Sequence, residues 1–161
     1  MELENEIKVI GEDAPNTVTY SRTLVISFSR LCKNKCPYCG FNKKDGLTVP
    51  YSTIKQIKHA RSKGIREVLY IAGERPDTFT HIRSALDLWG FSSYVDYIYT
   101  IAELGFLEGL IPVLDVGFLT PAEMKKISEV TAIIKIMLDD INTGAKATVG
   151  KRLEIRLKSL E

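Results

Sequence analysis

All three cysteines of this 161-residue chain fall within eight positions, at Cys32, Cys36 and Cys39. Thiolates are ligands for soft metals. Three on one short loop can converge on a cubane iron–sulfur cluster and leave its fourth iron without a protein ligand. An open iron is a place for chemistry. A protein built only to carry electrons would normally close that iron with a fourth cysteine, and the chain has none to offer.

Other uses of the same thiols stay open on the residues alone. A structural zinc site wants four ligands, usually as two close pairs. His59 and His81 are the only histidines, and neither sits in a C-x-x-C or H-x-x-x-H partner motif. Cys36, Pro37, Tyr38 and Cys39 form a C-x-x-C of the redox-active kind, but a redox pair leaves Cys32 unused and no thioredoxin-like order of elements follows. A disulfide suits an odd cysteine count poorly, and no secretory signal precedes the loop.

The elements that must carry this loop follow from periodicity and turn residues. Residues 1–18 are polar, with Gly11, Pro15 and Asn16, and read as a leader over the domain edge; the domain itself is 19–161. Residues 23–28 form a continuous β-rich apolar run, expected as a strand covered on both faces, and the cysteine loop follows directly. Pro50 stops that loop, Ser52 can cap a helix with Ile54 and Ile57 on its apolar side, and Gly64 closes it. A second strand at 67–72 is broken by Gly73, which puts Glu74 at the mouth beside the cysteine loop. Helices are expected at 81–89 and 94–107. Tyr94, Tyr97 and Tyr99 are read as packing residues of the latter rather than as a base-stacking platform. A third strand at 110–114 contains Pro112, a sign of an early or less regular ladder position. Thr120, Pro121 and Glu123 form a capping box that starts a helix. A fourth strand at 132–138 ends in Asp139 and Asp140, and a last helix spans 151–160. Strand and helix alternating four times predicts an α/β fold, a parallel sheet with right-handed crossovers. Loops at the carboxyl ends of such strands line the active face.

Composition excludes little. Hydrophobic residues at 45% and charged residues at 26% are globular values, and a net charge of +2 makes no case for nucleic acid. Ten lysines and arginines lie from Arg30 to Arg66 against Asp45 alone, which reads as a solvated loop and helix face. No apolar run reaches the roughly 18 residues of a membrane span, and the acidic residues near Met1 do not start a signal peptide. Three adjacent thiols fit a cytoplasmic location.

The cysteine trio with Tyr38, on a loop after a strand, resembles the cluster loop of the radical S-adenosylmethionine enzymes. Thr19, Tyr20, Ser21 and Arg22 ahead of the strand, Tyr38 to Phe41 at the loop, and Gly73, Glu74, Arg75 and Pro76 downstream narrow the resemblance. Together they are similar to the FO synthase family, which forms the deazaflavin precursor of coenzyme F-420, in particular its 7,8-didemethyl-8-hydroxy-5-deazariboflavin synthases. The likeness runs from about residue 19 to the C-terminus and covers only the N-terminal half of the family pattern.

The resemblance implies a half β/α radical S-adenosylmethionine barrel in which Cys32, Cys36 and Cys39 hold a 4Fe–4S cluster. The open iron would chelate the amino and carboxylate groups of S-adenosylmethionine, and one electron would cleave it to methionine and a 5′-deoxyadenosyl radical. Gly73 and Glu74 correspond to the motif that touches the methionine amino group. A carboxylate suits a cationic ligand and glycine permits close approach; otherwise Glu74 is a solvated turn residue. Tyr38 would pack near the cluster and adenine, or serve as a plain core aromatic. Asp115 and Asp139 end strands where the family turns polar groups toward S-adenosylmethionine, although it more often carries Asn and Glu there. Asp140 reads as a solvated strand end. The implied partners are a tyrosine-derived ribityl-uracil adduct, an electron donor, and a second chain supplying the missing barrel half. Its docking would cover an otherwise exposed fourth-strand edge, and a monomer in sedimentation would count against it. A short radical enzyme with another substrate, and a non-catalytic iron–sulfur or zinc scaffold, stand as alternatives.

Overall fold

The computed structural model describes residues 20–34, 36–41 and 45–137. The leader, Asp139, Asp140 and the helix at 151–160 lie outside these residues. Four strands, β1 (Thr23–Ser29), β2 (Glu67–Ala72), β3 (Ile111–Asp115) and β4 (Ile133–Ile134), form one sheet in the order β1-β2-β3-β4. Every pairing is parallel. The helices are α1 (Pro50–Ser62), α2 (Thr80–Leu88), α3 (Tyr94–Leu107) and α4 (Pro121–Ile127), with a 3-10 turn at Pro76–Thr78. This is the α/β alternation expected from the sequence, partial and consistent with half a β/α barrel.

Register explains which face is core. Ile26, Tyr70, Leu114 and Ile134 stand in one row across the sheet. The first three are buried and Ile134 is partly buried, packed with Ile57, Ile98 and Ile101 of the helices. Phe28 stacks on Tyr70 at 4.9 Å between ring centroids and meets Tyr97 edge-on at 5.2 Å. The Tyr97 hydroxyl donates to the Thr48 carbonyl at 2.8 Å and that of Tyr70 to Ile101 at 3.1 Å, so both buried phenols keep a partner. Tyr94 and Tyr97 are thus core residues, as read from their spacing, while Tyr99 lies half-buried with Lys126 over its ring.

Three expectations need correction. The adjacent row, Val25, Leu69, Val113 and Ile133, faces away from the helices, and Val25 is 53% exposed, so β1 is not covered on both faces. Among the described residues no strands stand opposite this face to fill it. Ser52 does not cap α1. Val49 is the N-cap, with extended backbone and no side-chain bond, and Pro50 at the first helical position supplies the preset φ instead. Within the described residues β4 is two residues long, shorter than the apolar run, because a strand needs a ladder and β3 ends at Asp115.

Pro112 is the second residue of β3. Its carbonyl faces β4, accepting from Ala132 N–H at 2.9 Å, so the missing N–H falls before β4 begins.

The capping box at α4 forms with both bonds, Thr120 Oγ1 accepting from Glu123 N–H at 3.3 Å and Glu123 accepting from Thr120 N–H at 2.8 Å. Thr120→Ala is expected to cost about 1 kcal/mol, a fall of roughly 2–4 °C in the thermal unfolding midpoint read by circular dichroism.

Candidate functional site

The site is built where the loop after β1 meets the turn after β2. The β1–β2 register shifts between Ser27 and Ser29, a bulge that ends regular pairing just where the cysteine loop begins. Beyond it the two loops are stapled backbone to backbone. Gly73 N–H donates to Ser29 O at 2.8 Å and Lys33 N–H to Glu74 O at 2.9 Å. Leu31 N–H donates to Ser29 Oγ at 3.1 Å. At the base of the loop, Thr48 donates its N–H to Phe28 O and its hydroxyl to Ser27 O, each at 2.7 Å. The exposed Arg30–Asp45 pair at 3.0 Å also spans the loop and adds little by itself.

These constraints bring Cys32, Cys36 and Cys39 to the wall of one cavity of about 370 Å³. Tyr38, Gly73, Glu74 and Asp115 line the same cavity. Tyr38 is 56% exposed, so it is not a core aromatic. Asp139 lies outside the described residues. Neither histidine is in this wall, and His81 Nε2 lies 3.3 Å from the Asp45 carbonyl instead.

Cys32 Sγ accepts two backbone hydrogen bonds, from Glu74 N–H at 3.2 Å and Asn34 N–H at 3.4 Å. Donors aimed at sulfur suit a thiolate, and the surroundings of iron–sulfur ligands use the same bonds. None of the three cysteines is in a disulfide. Among the described residues, no three His, Cys, Asp or Glu side chains are gathered so as to hold one metal ion. A cubane makes no such demand, since each thiolate takes a different iron. Three thiolates, with no fourth cysteine and no histidine in the cavity wall, suit a cluster with one open iron better than a structural zinc, which wants four ligands.

Sequence reasoning passed over several cavity residues. Gly117, with φ of +79°, packs so closely on Glu74 that a Cβ there would lie 3.0 Å from its Cα. Its signal was a glycine two residues past the end of β3. Asn34, inside the cysteine loop, and Ile71, Phe41 and Met137 also contribute wall. Asp115 is level with Ile71 and Ser27 across the strand ends, so register alone would have placed these three together.

No family model matches the chain. It is 31% identical over 147 residues to the 7,8-didemethyl-8-hydroxy-5-deazariboflavin synthase of Archaeoglobus fulgidus, covering 89% of this chain and 45% of that protein. The Methanothermobacter thermautotrophicus protein of the same name is 31% identical over 153 residues, with 89% and 47% covered. That of Methanobrevibacter smithii is 30% identical over 158 residues, with 90% and 47% covered. The chain is similar to the deazariboflavin synthases. It spans about half the length of the curated relatives it matches.

The Gly-Glu-Arg-Pro turn through which the chain resembles these synthases is also anchored from outside the cavity. Arg75 adopts a left-handed backbone, φ 47° and ψ 56°, and its guanidinium reaches Glu123 at 2.8 Å and Asp77 at 2.6 Å. A non-glycine residue there is strained and persists only where its surroundings hold it. Burial alone would push the Glu123 carboxyl up; bonds from Arg75 and Thr120 outweigh it and hold the carboxyl below its ordinary 4.5. A carboxyl depressed in the folded state contributes stability that is complete above its unfolded value and is lost as pH falls through the folded one. The wild-type midpoint should therefore fall as pH drops below about 4.5. In Arg75→Met that slope should flatten, with a loss of about 2 kcal/mol at neutral pH. Thermal melts between pH 3 and 7 check both.

Proposed function

We propose that this chain is the cluster-bearing part of a radical S-adenosylmethionine enzyme of deazaflavin formation. The observation that carries the reading is the cavity where Cys32, Cys36 and Cys39 meet the Gly73–Glu74 turn, with two N–H groups aimed at Cys32 Sγ. Similarity to synthases named for 7,8-didemethyl-8-hydroxy-5-deazariboflavin supports the pathway. When bound, a 4Fe–4S cluster would supply one electron to S-adenosylmethionine, releasing methionine and a 5′-deoxyadenosyl radical that abstracts a substrate hydrogen.

The chain's own residues have simpler tasks. The thiolates of Cys32, Cys36 and Cys39 hold the cluster. Glu74 receives the cofactor's ammonium group, Gly73 keeps the turn close to the loop, and Asp115 offers a polar group from the end of β3. Tyr38, in the cavity wall, packs near the cluster and the adenine. Because the chain spans about half of its relatives' length, the reading includes further polypeptide to complete the barrel and enclose the tyrosine-derived ribityl-uracil adduct. An external reductant supplies the electron.

The same half-length span favours a second reading, a non-catalytic iron–sulfur or zinc scaffold. Anaerobic reconstitution separates them. The proposal expects about four irons per chain with broad visible absorbance, and reductive cleavage of S-adenosylmethionine. A cluster without cleavage, even with the other barrel half added, would favour the scaffold, and one tightly held zinc would overturn the cluster itself.

A further inference from the structure

Asn34 sits in the middle of the cysteine loop and is 5% exposed, one of three buried polar or charged residues among the described residues, with Ser29 and Thr53. Ser29 has a role, accepting from Leu31 N–H. The Asn34 side-chain nitrogen has none: it is shut off from solvent and, among the described residues, has no hydrogen-bond partner. Asn34 nevertheless lines the same cavity as the three cysteines, and its backbone N–H already lies 3.4 Å from Cys32 Sγ. An uncharged carboxamide donor held this way is unfavourable unless an acceptor arrives with whatever the thiolates bind.

We propose that the Asn34 amide donates a hydrogen bond to a sulfur of the thiolate-held cluster and thereby raises its reduction potential. The inference rests on the cluster reading above. Cluster sulfur is a soft, negatively charged acceptor, and it gains negative charge on one-electron reduction. A fixed N–H donor therefore stabilises the reduced form more than the oxidised form. The carboxamide is a donor at one end and not a competing thiolate, so it tunes the group without joining its ligands.

The test is a redox titration of the anaerobically reconstituted full chain, followed by electron paramagnetic resonance before any S-adenosylmethionine is added. Asn34→Leu, close in shape but without a donor, should keep the wild-type iron content and shift the midpoint to a more negative potential. Asn34→Asp, which places an anion where the donor stood, should shift it further the same way. Wild-type midpoints in both variants would overturn the proposal. Loss of iron from both while circular dichroism stays native would overturn it too, since a tuning donor is not needed for assembly. If the wild-type chain takes up no iron, the iron assay alone removes the cluster reading, and this inference falls with it.

Discussion

Cys36→Ala should reduce iron uptake on anaerobic reconstitution from about four per chain to background, with loss of the broad visible absorbance and of S-adenosylmethionine cleavage. Two thiolates cannot hold a cubane that already lacks a fourth protein ligand, and no other cysteine exists to substitute. The two neighbouring replacements should give the same iron result but differ in the metal-free protein. Cys32 Sγ accepts from Glu74 N–H and Asn34 N–H, so Cys32→Ala leaves two backbone donors without that acceptor. Its apo form should lose about 1 kcal/mol, roughly 2–4 °C of thermal midpoint. Cys39, exposed on the loop, should lose less on the same change. Equal iron content in wild type and Cys36→Ala would show that the thiolates do not assemble a cluster.

Gly73→Ala should be the most damaging single methyl in the described structure. A Cβ built there would lie 2.1 Å from the Leu31 carbonyl oxygen, 2.7 Å from its carbon and 2.8 Å from Cys32 Cβ. Two of those three atoms are backbone, in a loop whose bonds to Gly73 and Glu74 fix its path, so no side-chain rotation relieves the clash. The two loops must separate, breaking the Gly73–Ser29 and Lys33–Glu74 bonds and moving Cys32 away from Glu74. Overpacking of this kind costs about 3 kcal/mol, on the order of 10 °C in midpoint for a chain of this size. Iron uptake should fall as well, because the displaced atom carries a ligand. Gly46→Ala is the control: nothing lies within 4 Å of a Cβ at that position, and its midpoint should match wild type. A stable, fully loading Gly73→Ala would mean that the close contact between loops is not what positions Cys32.

Much of the architecture was legible because its signals are local. The helix Tyr94–Leu107 shows its apolar spacing plainly, and the box of Thr120, Pro121 and Glu123 starts α4 as read. Apolar β-rich runs located the strands to within a residue or so at β1, β2 and β3. Errors arose where a neighbour decides. Ser52 had the right side chain for a cap, but Pro50 had already set the helix start one turn earlier. The apolar run at β4 outlasts its ladder. Val25 looks like a buried strand residue until the register shows it on the face away from the described helices.

The sequence by itself determined the donors and the frame. Three thiols lie on one short loop, a Gly-Glu turn ends the next strand, and four strands separated by helices run parallel; all are matters of residue type, spacing and period. Only the tertiary structure decided how the donors meet. Parallel pairing of β1 with β2 brings Ser29 opposite Ala72, puts Gly73 N–H on the Ser29 carbonyl and hence sets Cys32 against Glu74, residues 42 apart in the chain. Packing also gave Gly117 its place on Glu74, tied Arg75 to Glu123, and buried Asn34 with its amide unmatched. Such contacts depend on chain segments distant in sequence, and no local pattern of side chains encodes the register that joins them.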